Sequence, residues 1–166
     1  MKKFLLCAGL ALTVTAPAYA ASGNTSTTSG AAAANIVTPI VLTHGSTTLN
    51  FGSFTTGSGG SVIVNATGGG NTSGDVGFVP GSSVTPDGFT VKGDTSRNFS
   101  ISTTGGTVSN SGGTVSMAFS TVASAASATL DGSGNGAFTV GGTLTVVGNE
   151  TAGAYTGTYN ATVAYN

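Results

Sequence analysis

From Gly153 onward the chain alternates to its last residue. Tyr155, Tyr159, Ala161, Val163 and Tyr165 fall on one face, and Thr156, Thr158, Asn160, Thr162, Ala164 and Asn166 on the other, with Gly157 breaking the apolar row. A period of two marks a strand with one face buried. The pattern predicts one uninterrupted strand running to the C-terminus, where most domains leave their last residues loose. Such a strand has a structural use, or is a surface offered to another protein. Shorter runs precede it: Ile36 to Thr43, interrupted by Pro39, then Thr48 to Phe54, Ser61 to Ala66, Val76 to Val79 and Phe89 to Lys92. Asn98 to Thr103, Thr114 to Val122, Ala137 to Val140 and Thr143 to Val147 follow, the last two separated by Gly141-Gly142. Gly68 to Gly74 reads as a glycine-rich loop. β-branched residues fill most apolar positions, Glu150 is the only glutamate, and no glutamine occurs, so strands are favoured over helices. Many short strands without a clean internal repeat predict an all-β fold, a sandwich over residues 35–166 behind a flexible arm at residues 21–34.

The N-terminus carries an address. Lys2 and Lys3 are followed by an apolar run from Phe4 to Val14 and by Ala18-Tyr19-Ala20, the layout of a secretory signal with a small-residue cleavage site. Residues 1–20 are therefore expected to be removed, and the protein to be exported to the periplasm and the cell surface or beyond. Cys7 lies inside the apolar run rather than closing it, which argues against a lipid anchor. No later segment is long and apolar enough to cross a bilayer as a helix. Without the signal, Lys92 and Arg97 stand against Asp75, Asp87, Asp94, Asp131 and Glu150, a formal charge of −3. This excludes a basic nucleic-acid footprint. Residues 21–166 contain no cysteine, so stability must come from burial, backbone pairing or association.

Candidate chemistry is sparse. His44, the only histidine, sits beside Gly45 between two predicted strands and reads as a residue of a solvated turn. The aspartates sit beside glycine in Gly74-Asp75, Asp87-Gly88, Gly93-Asp94 and Asp131-Gly132, pairs that read as turns. Asp131 to Gly136 resembles the start of a calcium loop, but Gly142 stands where the twelfth-position glutamate is required. No catalytic residue, cofactor site or metal site is expected, and the chain reads as non-enzymatic.

Phe138-Thr139-Val140-Gly141-Gly142-Thr143-Leu144-Thr145-Val146, continued by Ala152 to Tyr159 and by Val163 to Asn166, resembles the C-terminal signature of a bacterial secreted family known as domain of unknown function 4402. Leu49-Asn50-Phe51-Gly52 and Phe89-Thr90-Val91-Lys92-Gly93 resemble its earlier landmarks. More broadly the chain is similar to chaperone–usher pilus subunits, in which a penultimate aromatic and a glycine fourteen from the end mark the terminal strand. Tyr165 and Gly153 occupy those positions. That resemblance implies an immunoglobulin-like, pilin-like sandwich lacking one strand, whose groove is filled by a neighbour's extension through strand addition. It also implies a periplasmic chaperone, an outer-membrane usher and neighbouring copies or other pilins as partners. Gly153, Tyr155, Tyr159, Ala161, Val163 and Tyr165 become candidates for the strand that a chaperone grips. Ile36, Thr38, Ile40 and Leu42 share a face and are the candidate donor strand. Because Pro39 cannot donate to a ladder, residues 35–43 can alternatively be the protein's own first strand, with residues 21–34 as donor or merely lying along the domain. A carbohydrate-binding or adhesin-like sandwich that does not polymerise is the alternative function, and an outer-membrane β-barrel a more distant one.

Overall fold

A computed structural model describes residue 23 and residues 26–166. The expected export signal, with Cys7, and the first part of the arm lie outside the described residues. Contacts divide the chain into residues 1–35 and residues 36–166. In the first unit, residues 26–35 are exposed and carry no strand.

The second unit is all-β, with no helix among the described residues. Its strands are β1 (Val41–His44), β2 (Phe54–Thr55), β3 (Gly60–Val64), β4 (Gly70–Gly74), β5 (Gly77–Phe78) and β6 (Asp87–Lys92). They continue with β7 (Asn98–Thr103), β8 (Gly106–Asn110), β9 (Ser116–Ala123), β10 (Ser127–Thr129), β11 (Asn135–Val146), β12 (Tyr155–Thr158) and β13 (Ala161–Tyr165). The largest sheet is built around β11, whose twelve residues make it the longest strand. One edge of β11 pairs antiparallel with β6 along Asn135–Val140 and then with β3 along Gly142–Val146. Its other edge pairs with β9 along Val140–Leu144. The order across the sheet is β1-β6-β11-β9-β8-β12, with the β3–β4 hairpin beside the second half of β11.

The glycine pair expected to separate two strands lies inside this one. A Cβ on Gly141 would collide with the Val64 carbonyl oxygen, so the missing side chain is what lets β3 arrive where β6 leaves.

A second sheet, β10-β7-β13, covers the first half of β11. Phe99 and Ile101 of β7 pack with Phe89 and Val91 of β6 and with Phe138 and Val140 of β11, making a sandwich core. A neighbouring core gathers Phe51, Val62, Val64, Val76, Met117, Phe119, Leu144 and Val146 under the other half of the large sheet. Tyr159 packs against both.

Several expectations are corrected. The terminal strand is not continuous: β12 pairs with β8 in the large sheet and β13 with β7 in the second. Between them the Tyr159 ring turns into both cores, and the Asn160 N–H bonds the Thr104 hydroxyl at 3.0 Å. A strand serving two sheets must bend where it changes sheet. The first strand begins at Val41 rather than Ile36, because Pro39 has no N–H for a ladder. Thr48 to Phe54 forms only an isolated bridge, Asn50 to Thr85, and the start of the two-residue β2. Its alternation places Leu49 and Phe51 against the core without a ladder. Conversely, most of the expected glycine loop, from Gly70 to Gly74, is strand β4, paired with β3. Its exposed Asn71 and Ser73 gave it a polar, loop-like reading.

Candidate functional site

Both terminal strands are sheet edges. In β13, Asn160 accepts from the Thr104 N–H and the Asn166 N–H bonds the Asn98 carbonyl. Antiparallel alternation then directs the backbone of Thr162 and Ala164 to β7, and that of Ala161, Val163 and Tyr165 away from it. Among the described residues no strand pairs with that second edge, nor with the outer edge of β12. Beside β12 lies a cavity of about 1250 Å³. One wall is the segment Glu150 to Ala161 and the other is Thr48 to Gly57. The floor is apolar: Phe51, Val108, Met117, Phe119 and Leu144, with His44, Asp87 and Phe89 at one end. An open strand edge over an apolar floor has the geometry of a site for strand addition.

Aromatic rings run edge-to-face along this floor. Phe51 meets Phe119 at 5.8 Å, Phe119 meets Tyr159 at 6.1 Å, Tyr159 meets Phe89 at 6.4 Å, and Phe89 meets His44 at 5.2 Å. Such contacts add about 0.5–1.5 kcal/mol each beyond the burial of the rings. They fix the floor as a preformed surface.

At the end of the cavity, Asp87 is only 3% exposed. Its Oδ1 lies 2.7 Å from His44 Nε2 and accepts the Gly88 N–H at 2.8 Å, while its Oδ2 accepts the Tyr159 hydroxyl at 2.7 Å. Burial first, and then the bond to Asp87 and its charge, push the Tyr159 hydroxyl well above the usual phenol range. Tyr159 therefore remains a donor under all ordinary conditions. This corrects two readings. Asp87-Gly88 is not a turn but the start of β6, and His44 is not in a solvated turn but ends β1, its ring half exposed and bonded to Asp87. Asp87 thus ties the end of β1 to the point where the terminal segment changes sheets.

A second tie lies further along. The Tyr165 hydroxyl donates to the Thr38 carbonyl at 2.8 Å and accepts the Asp94 N–H at 2.6 Å. The Arg97 guanidinium lies 5.4 Å from the Tyr165 ring centre and pairs with Asp94 at 3.1 Å. Of the terminal candidates, Gly153, Tyr155, Tyr159 and Ala161 line the cavity, whereas Val163 and Tyr165 lie outside it and pack on the sandwich core. Of the donor candidates, Leu42 pairs with Val91 inside the protein's own sheet and Ile40 packs on its core. Thr38 is exposed, its carbonyl held by Tyr165, and Ile36 is 96% exposed. The cavity-lining residues whose place the sequence pattern did not indicate are Asp87 and His44.

Two carboxyl groups clamp turns. Asp131 accepts the N–H groups of Asn135 and Ser133, and these bonds hold its carboxyl below the ordinary 3.8. On the cavity wall, burial raises Glu150, but the backbone N–H groups of Val147, Gly148, Asn149 and Glu150 itself together outweigh it and hold the carboxyl below the ordinary 4.5. A depressed native value contributes stability that is present above the unfolded value and lost as pH falls through the native one. Unfolding midpoints measured from about pH 6 to about pH 2 should therefore fall on the acid side of the ordinary carboxyl range, and Glu150→Gln should flatten part of that fall. An equally steep fall in Glu150→Gln would contradict the clamp.

No curated protein and no solved structure matches the chain. Residues 41–165, from the first strand to the last, match the family described as domain of unknown function (DUF4402). The chain belongs to the DUF4402 family.

Proposed function

We propose that this protein is an exported, non-enzymatic structural subunit of pilus or fimbrial type, which completes its sandwich by accepting an extended segment of another chain. The observation that carries this reading is the unpaired edge of β12 beside a cavity of about 1250 Å³ with an apolar floor. The same chain carries a matching part: residues 26–36 are exposed, strandless and uncharged, and end in Ile36 at 96% exposure. Because Ile40 and Leu42 already serve the protein's own core, the donated face is Ala32, Ala34 and Ile36, at strand spacing. The acceptor is a neighbouring copy or a related subunit. A periplasmic chaperone would hold the same edge before assembly, and an outer-membrane usher would exchange it.

Ile36 touches nothing that its own fold needs, so Ile36→Asp separates assembly from stability. Burying one isoleucine stabilises by about 1.5–3 kcal/mol, so the variant should weaken self-association at least about tenfold. Its unfolding free energy should stay within about 0.5 kcal/mol of the parent, as for other exposed positions. Self-association measured by light scattering that is unchanged in Ile36→Asp would overturn the assignment.

A further inference from the structure

We infer that the Asp87 brace is an end-stop, which limits an added strand to the β12 half of the gap and so selects a short donor of about five residues. This rests on the strand-accepting reading above. The space beside the terminal segment has two halves of different character. Beside β12 it is open: four residues of free edge, Tyr155 to Thr158, face the cavity. Beside β13 it is already filled by the protein itself, since Ile40 and Leu42 pack with Val163 and Tyr165 on one core.

The boundary between the halves is Tyr159. Its hydroxyl and His44 Nε2 reach the same buried carboxyl group from the terminal segment and from the end of β1, at 2.7 Å each. A strand advancing along β12 therefore meets a closed bridge before it can use the outward backbone of Ala161 and Val163. To pass, it would have to break both bonds, leaving Asp87 buried with the Gly88 N–H alone. An unsatisfied buried polar group of that kind is expensive. The Tyr165 tie to Thr38 and Asp94 holds the filled half shut at its far end.

The partner is accordingly an uncharged extended segment with small or aliphatic side chains at alternate positions, ending near Asp87. A donor that runs the whole length of the terminal strand does not fit. The arm of a second copy meets this description over residues 32–36, Ala-Ala-Ala-Asn-Ile.

The test uses the Ile36→Asp chain, whose own arm is disabled, and synthetic peptides copying residues 32–36, 30–38 and 28–40. Peptide affinity and residue-resolved amide exchange are measured together. The end-stop predicts that the five-residue peptide slows exchange within residues 155–158, that Ala161 and Val163 are unchanged, and that the longer peptides gain less than about threefold. Were the groove longer, the extra ladder bonds would make the longest peptide bind well over tenfold more tightly. That gain, with protection reaching Val163, would overturn the end-stop and leave strand addition standing. Failure of every peptide to protect β12 would overturn strand addition itself. Tyr159→Phe keeps the ring in both cores and removes one bond to Asp87, so in it the longer peptides should gain and protection should spread to Ala161. Unchanged length dependence in a folded Tyr159→Phe would remove the stop from Asp87. The parent series decides alone if that variant does not fold.

Discussion

Asp87→Ala is expected to lower the unfolding free energy by about 1–3 kcal/mol, the range for leaving a buried hydrogen-bonding group without its partner. The carboxyl group is almost fully buried and takes bonds from His44, Tyr159 and the Gly88 backbone. Removing it leaves the Tyr159 hydroxyl, held between two cores, without its acceptor. It also releases the end of β1 from the terminal segment. His44→Ala provides the contrast: that ring is half exposed, water can replace its bond, and the loss should stay near 1 kcal/mol. Urea unfolding of the two variants measures both values. A loss below about 1 kcal/mol in Asp87→Ala would show that the brace is incidental.

Tyr165→Ala is expected to cost about 3 kcal/mol, the lower end for deleting an aromatic from a core, because the ring is only partly buried. It removes the ring from the sandwich core, the two hydroxyl bonds, and the cation–π contact with Arg97. Tyr165→Phe keeps the ring and removes only the bonds to Thr38 and Asp94, and should cost about 1–2 kcal/mol. Since the penultimate tyrosine is engaged within its own chain, most of any loss of yield in cells should be traceable to this lowered stability. Thermal unfolding and cellular yield measured side by side check this. Reduced yield at unchanged stability would instead assign Tyr165 to a partner's surface.

Much of the sandwich was legible because alternation reports burial. The alternation of Asn98 to Thr103 predicts the bounds that β7 has, and Met117 and Phe119 face the core as their spacing requires. Strands with few large apolar side chains were not legible. β4, β8 and β10 are rich in glycine, serine and threonine and are held by backbone ladders that leave little trace in side-chain pattern. The bend at Tyr159 was hidden for the opposite reason. Alternation continues through Asn160 while the pairing partner changes from β8 to β7, and a period of two carries no information about partners.

The sequence does carry a signal for the burial of Asp87. Asp87, Phe89 and Val91 are spaced two apart on one strand, which puts the carboxyl group on the buried face. The following glycine drew the reading to a turn instead. The groove could be anticipated only through resemblance, because an absent strand leaves no residues to read. Which half of it is open depends on where Ile40 and Leu42 pack, and that is a tertiary fact.

The acceptance of one chain's arm by another is tested most directly by sedimentation of two chains, one spanning residues 21–166 and one beginning at Thr38. The shorter chain keeps the Thr38 carbonyl, Ile40 and β1, all of which the fold uses, and loses only the arm. It has a groove and no donor. The longer chain alone should form assemblies that grow with concentration, the shorter chain should remain monomeric, and adding the shorter to the longer should shorten the assemblies by capping their free arms. Assembly of the shorter chain to the same extent as the longer, or no effect of one on the other, would contradict the proposed function.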